Sequence, residues 1–236
     1  MKIVAHIHTD FPSKFGIPRQ SGLVDSLKGK IVFEPEYRNP DAFRGLEGFS
    51  HLWILWKFDV PRKEDTWSAT VKPPRLGGNK RMGVFATRSP FRPNEIGLSC
   101  VKLEQIEFTE DDGPVLTVSG ADLMNGTAIY DVKPYLAYTD SRPNAVSGFA
   151  DDVLDYELHV EFPDNWLEMI PVEKRQTIID TLKQDPRPSY HDRADRIYGV
   201  EFAGFDVRFK VNDGVLHVVE VEKLNGRFKK DAEPVE

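Results

Sequence analysis

Residues 101–136, VKLEQIEFTEDDGPVLTVSGADLMNGTAIYDVKPYL, hold successive apolar runs of strand length and no helical period. Val101 and Leu103 share one phase of a two-residue alternation, whereas Ile106 and Phe108 take the other. Successive strand side chains point to opposite faces, so a slip of one residue at Gln105 predicts a β-bulge, a device common where a sheet curves. The runs VLTVSGADL and AIYDVKPYL are parted by Asn125-Gly126, a strong turn signal because both residues tolerate positive φ. Outward from this stretch the same grammar holds. KIVAHIHT alternates, with Ile3, Ala5 and Ile7 on one face and His6 and His8 on the other, while IVFEPEY, HLWILWKF and MGVFATRS are short runs bounded by Pro, Gly or Asn. Trp53, Trp56 and Phe58 are expected in the core. Many short strands with turn punctuation predict a mainly β chain with an N-terminal β-barrel over residues 1–140.

The grammar changes after a stretch rich in Pro, Gly, Ser and Asp, which marks residues 141–154 as a linker. Beyond it, residues 155–236 read as a smaller C-terminal α+β domain. DYELHVEF alternates through Tyr156, Leu158, Val160 and Phe162. Pro171 then opens a helix, PVEKRQTIIDTLKQD, whose apolar face is expected to be Val172, Ile178, Ile179 and Leu182. FDVRFKV and VLHVVEVE flank Asn212-Asp213-Gly214, a hairpin signal.

Composition narrows the class of function. One cysteine, Cys100, excludes a disulfide framework and a Cys-rich zinc site. The opening MKIVAHIHTD has too few apolar residues for a signal-peptide core, and HLWILWKF is far short of a membrane span, so a cytoplasmic protein is expected. Net charge is −7, yet Thr66 to Asn94 contains no acid while carrying Lys72, Arg75, Lys80, Arg81, Arg88 and Arg92. The window therefore holds +6 and the remainder −13. A concentrated positive patch on an acidic chain suits an anionic ligand or a phosphate backbone approaching from one side.

The chain has no Walker loop, no Gly-x-Ser-x-Gly elbow and no Gly-x-Gly-x-x-Gly fingerprint, so a Rossmann-type nucleotide site is disfavoured. His6 and His8 would project from one strand face at a spacing compatible with metal ligation, with His51 or Asp59 available as a third donor, which keeps a metal-dependent hydrolase using His6, His8 and His51 open. In FGIPRQ, Pro18 stiffens the backbone that presents Arg19. Pro90 and Pro93 do the same around Arg88 and Arg92, and stiff loops carrying guanidinium groups suit carboxylate or phosphate recognition. Asp122, Asn125, Asp131, Lys133 and Tyr135 gather polar chemistry around one tight turn, and Arg187 stands between two prolines in QDPRPSY.

FGIPRQSGLV, RGLEGFSHLWIL, PPRLGGNKRMGVFATRSPFRPNEIGLS, DLMNGTAIYDVKPYL and QDPRPSY together resemble the TrmO (TsaA-like) family of tRNA N6-adenosine methyltransferases, over nearly the whole chain. The resemblance implies a non-Rossmann β-barrel that binds S-adenosylmethionine without a metal, acts as a homodimer, and methylates N6 of threonylcarbamoyl-adenosine beside the anticodon of threonine tRNA. Carried over position by position, Pro18, Arg19 and Gln20 match a first cofactor motif, Arg88 and Leu98 a second, and Asn125, Gly126 and Thr127 a third. Many relatives have Asp where this chain has Asn125, and commonly Arg where it has His8. An oxygen acceptor on the nucleophilic N–H would assist methyl transfer, and Asp122 and Asp131 are the candidates. Arg75, Lys80, Arg81, Arg92 and Arg187 are the candidate tRNA contacts. A non-catalytic RNA-binding barrel is the alternative reading, since the basic window alone would serve it.

Overall fold

The computed structural model describes residues 1–59, 67–73, 80–153, 156–188 and 195–224. The strands are β1 (Ala5–Thr9), β2 (Lys28–Phe33), β3 (His51–Lys57), β4 (Thr70–Val71), β5 (Met82–Gly83), β6 (Ile96–Thr109), β7 (Gly113–Ser119), β8 (Thr127–Pro134), β9 (His159–Glu161), β10 (Tyr198–Phe202), β11 (Phe205–Asn212) and β12 (Val215–Lys223). The helices are α1 (Ala137–Asp140), α2 (Asp164–Leu167) and α3 (Val172–Lys183).

A closed barrel runs in the order β1-β2-β7-β6-β3-β8, and β8 pairs with β1 to shut it. Closure leaves no sheet edge, and it works here because alternation places Ala5, Ile7, Ile31, Leu52, Ile54, Val101, Leu116, Val118 and Ile129 inside. Each such Ile or Leu, fully withdrawn from water, stabilises the fold by about 1.5–3 kcal/mol. The bulge foreseen at Gln105 is present one residue earlier: Leu103 pairs with Val118 and Gln105 with Thr117, leaving Glu104 extra. A second bulge lies between β3 and β8, where Leu55 pairs with Asp131 and Trp56 with Ile129.

The turn expected at Asn125-Gly126 is present, with Gly126 at φ 79, and it leads into β8: β7 pairs with β2 and β6, whereas β8 pairs with β1 and β3, so residues 120–126 cross one end of the barrel. Two expectations for the barrel need correction. MGVFATRS is a strand only over its first two residues, after which Val84–Ala86 form a 3-10 turn. Of the three aromatics assigned to the core, Trp56 packs against it, but Trp53 lies on the outer wall, its indole N–H donating to Asp140 at 3.0 Å. Leu52 and Ile54 already occupy the inward positions, so Trp53 between them must point out.

In the C-terminal part the sheet order is β10-β11-β12-β9, antiparallel except for β9 beside β12. Asp213 and Gly214 both have positive φ, the conformation the Asn-Asp-Gly signal requires. The β10–β11 turn uses Ala203 and Gly204 in the same way, and the strand before it carried no turn signal. The buried face of α3 is Thr177, Ile178, Thr181 and Leu182, and Val172 is exposed, contrary to the helical reading. The core under this sheet also takes in Phe11, Val24 and Leu27, with Phe15 and Ile17 packed against it. Thus the segment between β1 and β2 leaves the barrel and completes the other core. Among the described residues no helix is long and apolar enough to cross a membrane.

Candidate active site

The segment carrying Pro18, Arg19 and Gln20 is held from both sides. Gly16 has φ +97, and a Cβ there would lie 2.6 Å from Val200 Cγ1, so the chain can approach the C-terminal sheet only as glycine. On the barrel side, Gly22 N–H donates to the Gly120 carbonyl at 3.0 Å. Pairing of β6 with β7 begins at Lys102 and Ser119, which leaves the Cys100 N–H beyond it without a strand partner on that side. The Ser21 hydroxyl accepts that N–H at 3.0 Å, satisfying a group that would otherwise be stranded.

Between these anchors Gln20 meets Arg88, whereas Arg19 turns toward the C-terminal part. Pro18 is buried, and Arg19 reaches out to donate to the Arg187 carbonyl at 3.1 Å. The Gln20 side-chain oxygen accepts from Arg88 Nη1. Arg88 is exposed on the loop between the 3-10 turn and β6. Arg92 stiffens that loop by donating to the Thr87 carbonyl at 3.0 Å. Arg88 also lends its field to Asp122, which lies just past the end of β7. Burial pushes the Asp122 carboxyl above the ordinary range; the Ser99 hydrogen bond, backbone N–H groups and Arg88 pull it back without cancelling the rise. Ser99 Oγ donates to Asp122 Oδ1 at 2.6 Å, and the Trp56 indole N–H donates to Ser99 Oγ at 2.9 Å.

Leu98 precedes Ser99 on β6 and therefore faces outward, where it is 48% exposed; Phe85 and Phe91, on the segment before β6, are exposed as well. Asn125 opens the way into β8. Its side-chain oxygen accepts the Thr9 N–H at 3.1 Å, its own N–H donates to the Phe11 carbonyl at 2.8 Å, and Gly126 N–H donates to the Ile7 carbonyl at 2.8 Å. Thr127 closes the turn, its hydroxyl donating to the Met124 carbonyl at 2.7 Å. Asp131 is farther along β8 and pairs with Lys133 at 2.8 Å. Of the two candidate acids, Asp122 is thus the one set among Gln20, Arg88 and the residues 18–22.

The five basic residues chosen for tRNA are not alike. Lys80 and Arg81 are exposed, Arg81 touching the Thr70 hydroxyl at 2.8 Å. Arg92 is turned back on its own loop, as described. Arg187 is held by Asp185 through both Nε at 2.8 Å and Nη2 at 2.9 Å, and its side chain is only 15% exposed. Tyr156 O–H donates to the same carboxylate at 2.8 Å. Burial would raise the Asp185 carboxyl, but the bonds from Arg187 and Tyr156 outweigh it and hold the group low. Arg187 therefore shapes a backbone turn, with Asp185 at φ 49, more than it offers a free cation. Arg75 lies outside the described residues.

His6 Nδ1 is 2.8 Å from Glu34, and His51 Nδ1 is 2.9 Å from the Ser50 hydroxyl. Among the described residues no three His, Cys, Asp or Glu side chains gather as metal ligands. Sequence reasoning missed Ser21, Trp56 and Ser99 as partners of the site. Ser99 is the last residue of a quoted motif, but nothing in its spacing says that Asp122 lies against it.

The model of the tRNA-methyltransferase O N-terminal domain matches residues 6–141, and that of the TrmO C-terminal domain matches residues 155–224. The chain belongs to the TrmO family. It is 42% identical over 224 residues, covering 92% of this chain and 94% of the relative, to the tRNA (adenine(37)-N6)-methyltransferase of Escherichia coli K12. The enzyme of the same name from Eikenella corrodens is 41% identical over 179 residues, 75% of this chain and 99% of that one. Among solved structures, TrmO from Pseudomonas aeruginosa superimposes with a TM-score of 0.72 at 30% identity, covering 94% of this chain and 96% of that one. TrmO membership accounts for a barrel site without a Rossmann fold.

Proposed function

We propose that this chain uses S-adenosylmethionine to methylate N6 of the adenosine next to the anticodon of tRNA, and that the nucleoside it accepts is threonylcarbamoyl-adenosine in threonine tRNA. The observation that carries the reading is the convergence of Gln20, Arg88 and Asp122 at one end of the barrel, on the motifs shared with the family. The donor set suits the methyl donor. Arg88 offers a guanidinium for a carboxylate, exposed Leu98 offers an apolar edge for an adenine, and no phosphate cradle is needed. When bound, S-adenosylmethionine supplies an electrophilic methyl carbon. This chain's own residues do the rest. Gln20 and Arg88 orient each other, and residues 18–22, stapled to β6 and β7, hold them in place. Asp122, its carboxyl raised by burial, accepts the proton that N6 must lose. In-line transfer gains most from such alignment of donor and acceptor.

Exposed Lys80 and Arg81 in the acid-free window are the tRNA contacts this reading favours. The target lies in a single-stranded loop, whose bases can be splayed out toward the site. Phe85, Phe91 and Leu98 leave exposed apolar side chains on the loop and strand that carry the second motif, and a second copy of the chain would cover them, giving a homodimer. A tRNA substrate makes the cytoplasm its place of work. Nucleoside mass spectrometry on tRNA from cells with and without the protein tests the proposal. Loss of N6-methylated threonylcarbamoyl-adenosine, restored by wild type and not by Arg88→Ala, is expected; an unchanged tRNA profile overturns it.

A further inference from the structure

Ser99 is fully buried in the barrel, where a hydroxyl without partners would cost about 1–3 kcal/mol. It has two partners, and they run in one direction. The Trp56 indole N–H donates to Ser99 Oγ at 2.9 Å, and Ser99 Oγ donates to Asp122 Oδ1 at 2.6 Å. An indole N–H can only donate, so Trp56 leaves the Ser99 proton one direction to go, toward the carboxyl. The indole is seated by Gly97: a Cβ there would lie 2.2 Å from Trp56 Cε2, inside the ring's contact distance. Gly97 is in extended β6 with no positive φ, so glycine is needed there for room alone. Trp56, Gly97 and Ser99 come from the paired strands β3 and β6, with Trp56 opposite Gly97 in register. A rigid ladder therefore carries the relay.

We propose that Trp56, Gly97 and Ser99 form a positioning relay that fixes, through Oδ1, the Asp122 carboxyl that takes the substrate proton. The proposal rests on the reading of Asp122 as proton acceptor. The other influences on the Asp122 carboxyl are its own backbone N–H and that of Ser21 and the positive charge of Arg88 on the loop before β6, while β6 contributes Ser99 and β3 contributes Trp56 behind it. Loss of the Ser99 proton donor removes a bond that favours the ionised carboxylate, so Asp122 then ionises at higher pH. A loosened carboxyl also loses alignment with the acceptor nitrogen, and small misplacements of reacting groups cost on the order of 100-fold in rate.

The test uses the full chain as wild type, Ser99→Ala, Ser99→Thr and Trp56→Phe. Methyl transfer to tRNA is followed across pH, S-adenosylmethionine affinity is read by calorimetry, and the Asp122 carboxyl is titrated by carbon-13 NMR. Ser99→Ala is expected to lower kcat by about 10- to 100-fold with cofactor Kd nearly unchanged, and to move the acidic limb of the pH profile upward. Ser99→Thr, which keeps the hydroxyl, restores both. Trp56→Phe keeps a ring over Gly97 and shows a smaller change in the same direction. An unmoved acidic limb and an unmoved Asp122 titration in Ser99→Ala would overturn the relay. If Ser99→Ala does not fold, an unmoved limb and titration in Trp56→Phe overturn it instead. A wild type inactive on tRNA would refute the methyl-transfer reading, and the carboxyl titration alone would then still decide whether Ser99 governs Asp122.

Discussion

Asp122 is held where its charged form is disfavoured, and this has a stability consequence as well as a catalytic one. Burial raises its folded-state pKa above the unfolded value, so between the two the unfolded chain carries fewer protons at this site than the folded chain. Folding stability therefore falls as pH rises from the ordinary carboxyl range through the raised value, and stays lowered above it. Asp122→Asn should raise Tm at neutral pH, the gain disappearing in scans below about pH 3, while methyl transfer is lost. A Tm gain that persisted at low pH would mean that charge is not its cause. Asn125 makes a different case. Its side-chain oxygen accepts the Thr9 N–H, and a carboxylate oxygen could do the same. Asn125→Asp should leave the denaturation midpoint nearly unchanged, whereas Asn125→Ala should cost about 1 kcal/mol by leaving that N–H short of a partner. On this expectation Asp and Asn meet one structural need at position 125, which the sequence alone could not reveal.

At the scale of elements, the strands were legible where one wall faces the core, because alternation is then enforced by burial. The bulge near Gln105 and the Asp213-Gly214 hairpin were readable for the same local reasons. What was not readable is which strands pair: Asn125-Gly126 is a turn, yet it ends a crossing from β7 to a strand three places away around the barrel. DYELHVEF alternates for eight residues, but among its described residues strand pairing is confined to His159–Glu161. The segment between β1 and β2 illustrates the point most sharply, since it has no regular structure and still carries the first cofactor motif. Its docking depends on Gly16. Gly16→Ala should destabilise the protein by about 1–3 kcal/mol in urea unfolding, because a Cβ meets Val200 at positive φ. It should also weaken S-adenosylmethionine binding, since Pro18, Arg19 and Gln20 move with it; unaltered stability and affinity would show that the loop is not seated this way.

For the whole molecule, the division of the chain at residues 141–154 does not divide the cores. Phe11, Val24 and Leu27 are buried against the C-terminal sheet, each worth about 1.5–3 kcal/mol of burial. Arg19 adds a polar tie to the turn at Asp185 and Arg187. A fragment of residues 1–140 should keep the circular dichroism of a β-barrel but bind S-adenosylmethionine at least about tenfold more weakly. This follows because ordering a loop that has lost its packing costs about 1–2 kcal/mol per residue fixed. Limited proteolysis should cut that fragment first between residues 10 and 27. Full affinity and a resistant loop in the fragment would show that the barrel alone organises the site.

The sequence by itself determined the strand-rich class, the place where the grammar changes, the exclusion of the Rossmann and Walker chemistries, and the motifs that lead to the TrmO family. These are short-range properties, set by side-chain alternation, turn conformers and residue types at fixed spacing. Only the tertiary structure decided that Asp122 meets Ser99 and Arg88 while Asp131 is spent on Lys133, that Arg187 is engaged by Asp185, and that Trp53 faces out while Trp56 faces in. Those outcomes depend on strand order, on bulges that shift the phase by one residue, and on which groups burial leaves in need of a partner. None of these is a function of local sequence, because the contacts join residues up to 168 positions apart.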